Sequence, residues 1–259
     1  MSRQDTLQSF SRLLDIMNEL REKCPWDKKQ TMESLRHLSI EETYELSDAI
    51  LSGQPDEIKK ELGDLLLHIV FYAKIGEEQN NFTLKKLMDD LCEKLIFRHP
   101  HIYGNVKAEN EEQVKKNWEQ IKQSEKNGNK TALSGVPSGM PALLKAYRIQ
   151  EKVSAIGFDW ENPEQVYQKV KEEIAEFEQE LKNGNHQKAF NEFGDVLFSL
   201  VNYARFLNIN PDDALEQTNK KFIKRFNYLE EKVKEQGRNL KDCSLDEMNV
   251  YWEEAKKLS

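Results

Sequence analysis

The sequence predicts an all-α chain built as two tandem antiparallel helical-bundle domains, and three observations predict it. Apolar residues recur at three- and four-residue steps along most of the chain, without alternating stretches of comparable strength, so helices rather than strands bury its hydrophobic surface. Charged residues make up 32% of the 259, against a usual ~25%, which suits amphipathic helices with charged outer faces. An acidic pattern also occurs twice in a constant register. Glu41-Glu42-Thr43-Tyr44-Glu45 precedes Glu61-Leu62-Gly63-Asp64, and Glu172-Glu173-Ile174-Ala175-Glu176 precedes Glu192-Phe193-Gly194-Asp195, with every acidic residue displaced by 131. Gly53 and Gly184 keep that spacing, and the pair Trp26 and Trp118 returns as Trp160 and Trp252, both pairs 92 apart. Such self-similarity marks a tandem duplication. The expected division is a first domain over 1–122, a linker over 123–140 and a second domain over 141–259.

Each helix has a local reason. From about Thr6 to Lys23 the residues Leu7, Phe10, Leu13, Leu14, Met17 and Leu20 form one apolar stripe, ended by Cys24-Pro25-Trp26-Asp27 because proline cannot continue the hydrogen-bond ladder. A second helix, about Met32 to Leu51, stops at Ser52-Gly53, and Pro55-Asp56 opens a third that runs to about Ile75. Gly63 inside that helix costs ~1 kcal/mol relative to alanine, which suggests close approach of a neighbouring helix or a ligand. A fourth helix is expected over about Thr83 to Phe97, ending near Arg98-His99-Pro100-His101, and a fifth from Glu111 through Trp118 to Lys122. The segment 123–140 is polar and rich in turn formers. The second copy repeats the order: a helix after Pro141, the Gly157-Phe158-Asp159-Trp160 turn, helices over about Pro163 to Leu181 and around Glu192, then helices near Pro211 to Val233 and Leu245 to Lys256.

Composition excludes several classes. A formal charge of −8 disfavours nucleic acid or an anionic membrane as the main partner, since either needs a basic face. Cys24, Cys92 and Cys243 lack the spacing of a zinc site or a disulfide framework, and a reducing cytoplasm is expected. The first residues open directly into a charged amphipathic pattern without the apolar core of a signal peptide, and nowhere is there an apolar run long enough to span a bilayer.

The acidic motifs carry the chemistry. At 100° per residue Glu172, Glu173 and Glu176 share one ~100° arc, while Glu192 and Asp195 lie ~60° apart on the next helix, so both sets can face one cleft. Val196-Leu197-Phe198-Ser199-Leu200-Val201 after Asp195 is apolar nearly all round, which predicts a helix buried on most sides and a carboxylate that needs a cation beside it. A solvated acidic face would interleave its glutamates with lysine at i+4, and the motif is read as lacking that pattern. A di-iron bundle needs Glu-x-x-His, whereas this helix reads Glu-x-x-Asp; His68 has Ser199 as its counterpart and is expected in the core or an interface. All-carboxylate ligation points to magnesium, with manganese as a substitute.

The copies differ in their cations. Lys169 corresponds to Leu38, Lys188 to Glu57, and Asn219 to Cys92, so the second copy surrounds its carboxylates with basic and amide groups that the first partly lacks. Carboxylates, a hard divalent ion and surplus lysine and arginine suit a polyphosphate. At this point Glu-Glu-x-x-Glu followed by Glu-x-x-Asp, present twice with Cys24-Pro25-Trp26-Asp27 and Arg98-His99-Pro100-His101, resembles a MazG-type nucleoside triphosphate pyrophosphohydrolase. The resemblance covers nearly the whole chain. It implies magnesium-dependent hydrolysis of nucleoside triphosphates to monophosphate and diphosphate, as nucleotide-pool house-cleaning, in a cytoplasmic homodimer whose second copy carries the activity. It further implies metal ligation by Glu173, Glu176, Glu192 and Asp195, substrate contacts from Lys169, Lys188, Asn191, Asn219, Lys221, Arg225 and Trp252, and catalytic roles for Glu172 and Lys188. Glu42, Glu45, Glu61 and Asp64 form a possible second metal site. The cation set of the second copy favours an enzyme over a non-catalytic helical scaffold.

Overall fold

The computed structural model describes residues 2–106, 114, 121 and 131–258. The predicted helix over Glu111 to Lys122 and the linker up to residue 130 fall almost wholly outside the described residues. Of the described residues 79% are helical and none lies in a strand, as the apolar periodicity requires. Backbone contacts divide the chain into two compact units, Met1–Lys107 and Ala108–Ser259.

In the first unit α1 (Arg3–Lys23) leads through a short 3-10 turn at Asp27–Lys29 to α2 (Met32–Ser52), α3 (Pro55–Glu78), α4 (Leu84–Arg98) and a single turn, α5 (Pro100–Tyr103). Capping sets the starts. Ser2 and Asp5 form a reciprocal capping box on α1, Thr31 and Ser34 form one on α2, and Pro55 occupies the first turn of α3. The core comprises Met17, Leu35, Val70, Phe71 and Ile75, with Phe10, Leu13, Leu14, Leu38 and Leu67 packed on it. Arg21 on α1 donates through Nε and Nη2 to Glu78 at the end of α3 and through Nη1 to the carbonyls of Asp27 and Gln30, so one guanidinium fastens the Cys24-Pro25-Trp26-Asp27 turn to two helices. His68 is buried as expected, its Nδ1 2.9 Å from Ser39 Oγ, which in turn lies 2.7 Å from Tyr72 Oη.

In the second unit the helices are α6 (Ala142–Ser154), α7 (Pro163–Lys182), α8 (His186–Phe206), α9 (Pro211–Glu235) and α10 (Leu245–Lys257). The 131-residue register holds in space: α2 and α7 begin at Met32 and Pro163, and α3 and α8 at Pro55 and His186. In both copies a glycine turn joins the two acidic helices, which makes them antiparallel neighbours. Gly53 and Gly184 adopt φ of 68° and 69°, a left-handed conformation that a side chain resists. Pro100 explains where the copies part: it ends α4 after 15 residues, whereas its counterpart Asn227, at the 127 offset that also pairs Cys92 with Asn219, lets α9 run for 25.

Two expectations are corrected. The Val196 to Val201 stretch is not buried on most sides: Val196, Ser199 and Val201 face the core, but Leu197 and Leu200 are 47% and 43% exposed and Phe193 is 49% exposed. The unit is too small to surround α8, so only part of its apolar circumference finds a partner within the chain. Nor does a neighbouring helix approach Gly63: among the described residues a Cβ there, or at Gly194, would meet nothing within 4 Å.

The two left-handed turns give a direct check on the shared architecture. Gly53→Ala and Gly184→Ala should each lower unfolding stability by about 1 kcal/mol, measured by urea denaturation, whereas Gly194→Ala in open helical space should raise it by a few tenths to about 1 kcal/mol.

Candidate functional site

The antiparallel pairing of α7 with α8 sets Glu173 and Glu176 against Glu192, and carboxylate oxygens from the three lie within 4.8 Å of one another. The first unit does the same with Glu42, Glu45 and Glu61. Three of the four predicted ligands in each copy therefore converge. Asp195 and Asp64 stand outside these groups of three, although the charge of Asp195 is felt at Glu192. Glu173 is buried, Glu192 half-buried and Glu176 exposed, so the cluster sits at the mouth of the α7/α8 groove.

Its electrostatics are those of an under-neutralised anionic site. Partial burial, followed by the charges of Glu176, Asp195 and Glu173, raises the Glu192 carboxyl above its ordinary value. In the first copy burial and the charges of Glu61 and Glu42 raise Glu45 in the same way. Glu61 is more deeply placed, 4% exposed, with Oε1 accepting from Lys60 Nζ at 2.7 Å and Oε2 buried without a hydrogen-bond partner among the described residues. Hard oxygen donors, mutual repulsion and an unsatisfied buried oxygen fit a small divalent cation of the magnesium or manganese type.

Lys169 requires a correction. The expected absence of an i,i+4 lysine from the acidic motif fails here, since Lys169 Nζ lies 2.8 Å from Glu173 Oε1, an i,i+4 pair, and 2.6 Å from Glu172 Oε1. Hydrogen bonds to Glu172 and then Glu173 raise its own pKa. Glu172 thus stays outside the cluster of three, exposed on its rim and held by Lys169. Lys188 and Asn191 are exposed on the first turns of α8 and Lys221 on α9, without side-chain contact to the three carboxylates among the described residues. Asn219 Nδ2 donates to Glu216 on its own helix, Arg225 is half-buried on α9, and Trp252 of α10 leans on Phe222 with ring centroids 5.0 Å apart. Lys60 is a further cation at the first cluster, outside the expected site residues. The duplication contained the signal, since its counterpart at the 131 offset is Asn191.

A helical module that sets a Glu-x-x-Glu helix antiparallel to a second glutamate defines the class: an all-α carboxylate-site protein. The MazG nucleotide pyrophosphohydrolase domain matches the chain twice, over residues 30–103 and 161–229. The chain belongs to that family. It is 44% identical over 251 residues to the nucleoside triphosphate pyrophosphohydrolase/pyrophosphatase MazG of Thermotoga maritima, covering 95% of each chain. It is 38% identical over 258 residues to the nucleoside triphosphate pyrophosphohydrolase of Escherichia coli, covering 97% of this chain and 98% of that one. With the uncharacterized protein YabN of Bacillus subtilis it shares 46% identity over 252 residues, but spans 52% of that protein's length.

A raised carboxyl stabilises the fold only while protonated, so its contribution is present below the unfolded value of 4.5 and is lost as pH rises through the folded value. With a chelator present, Glu192→Gln should therefore melt higher than the parent at pH 7, and the difference should vanish below about pH 4. Magnesium should raise the melting temperature of the parent more than that of the variant; equal shifts would place the ion elsewhere.

Proposed function

We propose that this chain hydrolyses nucleoside triphosphates to the monophosphate and diphosphate, that the reaction depends on magnesium, and that the second copy, within a domain spanning 141–259, carries it. The convergence of Glu173, Glu176 and Glu192 beside Lys169 is the observation that supports this most directly. These three, with Asp195, would hold the ion, which when bound supplies positive charge to the phosphate oxygens and to the attacking water.

The remaining work falls to the chain. Glu172, outside the ligand set and on its rim, orients the water and takes its proton as it attacks the α-phosphorus. Lys169 keeps Glu172 and Glu173 in place through its two short ion pairs. Lys188, Lys221 and Arg225 neutralise charge on the departing diphosphate, and Asn191, Asn219 and Trp252 contact the nucleotide. In the first copy Lys60 already supplies a cation to Glu61, and Leu38 and Glu57 replace the two lysines; that copy binds metal but turns over poorly.

The apolar surface left open on the acidic helices supports a homodimer. Leu62, Leu66 and Ile69 of α3 and Phe193, Leu197 and Leu200 of α8 are all substantially exposed, and each set of three shares one face of its helix. No helix among the described residues is long and apolar enough to cross a membrane, and a cytoplasmic enzyme acting on free nucleotides is the setting proposed.

Glu192→Gln should lower turnover of nucleoside triphosphate at least about a hundredfold, while Glu61→Gln keeps most of it; comparable losses would refute the assignment to the second copy. In labelled water the heavy oxygen should enter the nucleoside monophosphate, and its appearance in diphosphate or orthophosphate would refute attack at the α-phosphorus. Leu66→Glu with Leu197→Glu should convert the dimer to monomer by light scattering, and a parent that is itself monomeric would sink the dimer.

A further inference from the structure

The first carboxylate cluster carries a tethered cation. Lys60 is exposed on α3, yet its Nζ lies 2.7 Å from Oε1 of the buried Glu61. Hydrogen bonding to Glu61 and the charge of that carboxylate, followed by the charges of Asp64 and Glu45, raise the pKa of the ammonium, so it sits in the field of the whole cluster. Glu61 offers an incoming ion little choice. Its Oε2 is buried with no hydrogen-bond partner among the described residues, so an ion approaching from solvent meets the carboxylate at Oε1, the oxygen that Lys60 holds. An ammonium and a divalent ion cannot share that oxygen at close range, because like charges a few ångströms apart repel strongly in a partly buried site.

The second cluster is built differently. Asn191 stands where the first copy has Lys60, at the 131 offset, and an amide brings no net charge to Glu192. The lysine of that copy, Lys169, is shared: its Nζ lies 2.6 Å from Glu172 and 2.8 Å from Glu173. When an ion takes Glu173, Lys169 keeps Glu172, which stands outside the cluster of three. Lys60 has no second ion-pair partner among the described residues, and it must give up Glu61 before an ion can have it.

Resting on the reading above that the first cluster binds metal, we propose that Lys60 sets the affinity of that cluster: a tethered ammonium that occupies Glu61 Oε1 and competes with a divalent cation for it. Lys60 is exposed, and Glu57 lies one turn away on the same helix, so a displaced ammonium has another carboxylate within reach. The ion is therefore hindered rather than excluded. The penalty is the worth of a partly exposed ion pair, about threefold to fivefold in affinity. Metal loading of the first copy then depends on a residue that holds no metal itself.

The test titrates the full chain with manganese, without nucleotide, and reads the free ion by electron paramagnetic resonance. Glu176→Gln with Glu192→Gln disables the second cluster, so that the first is seen alone. On that background Lys60→Gln, which removes the charge but keeps a good helix former at an exposed position, should tighten manganese binding about threefold to fivefold. Lys60→Arg keeps the charge and should bind like the unsubstituted background. Adding Glu45→Gln should release the ion, which fixes it to the first cluster. Unchanged affinity in Lys60→Gln overturns the proposal, as does an ion that Glu45→Gln leaves bound. Equal tightening in Lys60→Arg also overturns it, since the charge would then not be the cause. Binding that is unaffected by Lys60 leaves the metal reading of the first cluster standing, whereas no binding with or without Lys60 removes both. No arm measures turnover, so the hydrolase reading stands or falls on its own assay.

Discussion

Three carboxylates held within 4.8 Å repel one another, and the second unit is arranged so that Glu173, Glu176 and Glu192 cannot separate. Glu173 and Glu176 are one turn apart on α7 and share its face, and the turn around Gly184 folds α8 back so that Glu192 arrives opposite them. Val166, Val170, Ala189 and Val196 are buried between the helices and resist any widening of the groove. Apolar packing thus supplies the free energy that the charges oppose. The raised pKa of Glu192 expresses that conflict, and a divalent cation relieves it.

The same backbone serves two copies with different internal cations. In the first, Lys60 reaches the oxygen of its neighbour Glu61, on the helix that brings the third carboxylate. In the second, Lys169 lies on the other helix and bridges Glu172 and Glu173, leaving Glu192 without a basic partner among the described residues. Where the lysine sits decides which carboxylate retains its full demand for a cation. Duplication preserved the geometry of the cluster while the surrounding charges diverged.

Helix α8 presents several environments at once. One side packs inside the unit through Val196, Ser199 and Val201, another exposes Phe193, Leu197 and Leu200, and a third contributes Phe198, Asn202 and Arg205 to a cavity that Phe158 and Trp160 also line. An apolar run around a whole helix is therefore no measure of its burial in one chain.

The sequence by itself determined the all-α class, the duplication and the carboxylate motifs, because helical periodicity, the glycine turns and a 131-residue register are all written along the chain. Helix starts were legible at Pro55, Pro163 and Pro211 and the left-handed turns at Gly53 and Gly184, since proline and glycine constrain their own backbone regardless of context. Tertiary structure alone decided that Asp195 stands apart from the three convergent glutamates, that Lys169 bridges Glu172 and Glu173, and that half of α8 stays open. Those outcomes depend on where side chains from different helices end in space. Spacing along one helix gives an angle about its own axis, but not the distance to a group on its neighbour.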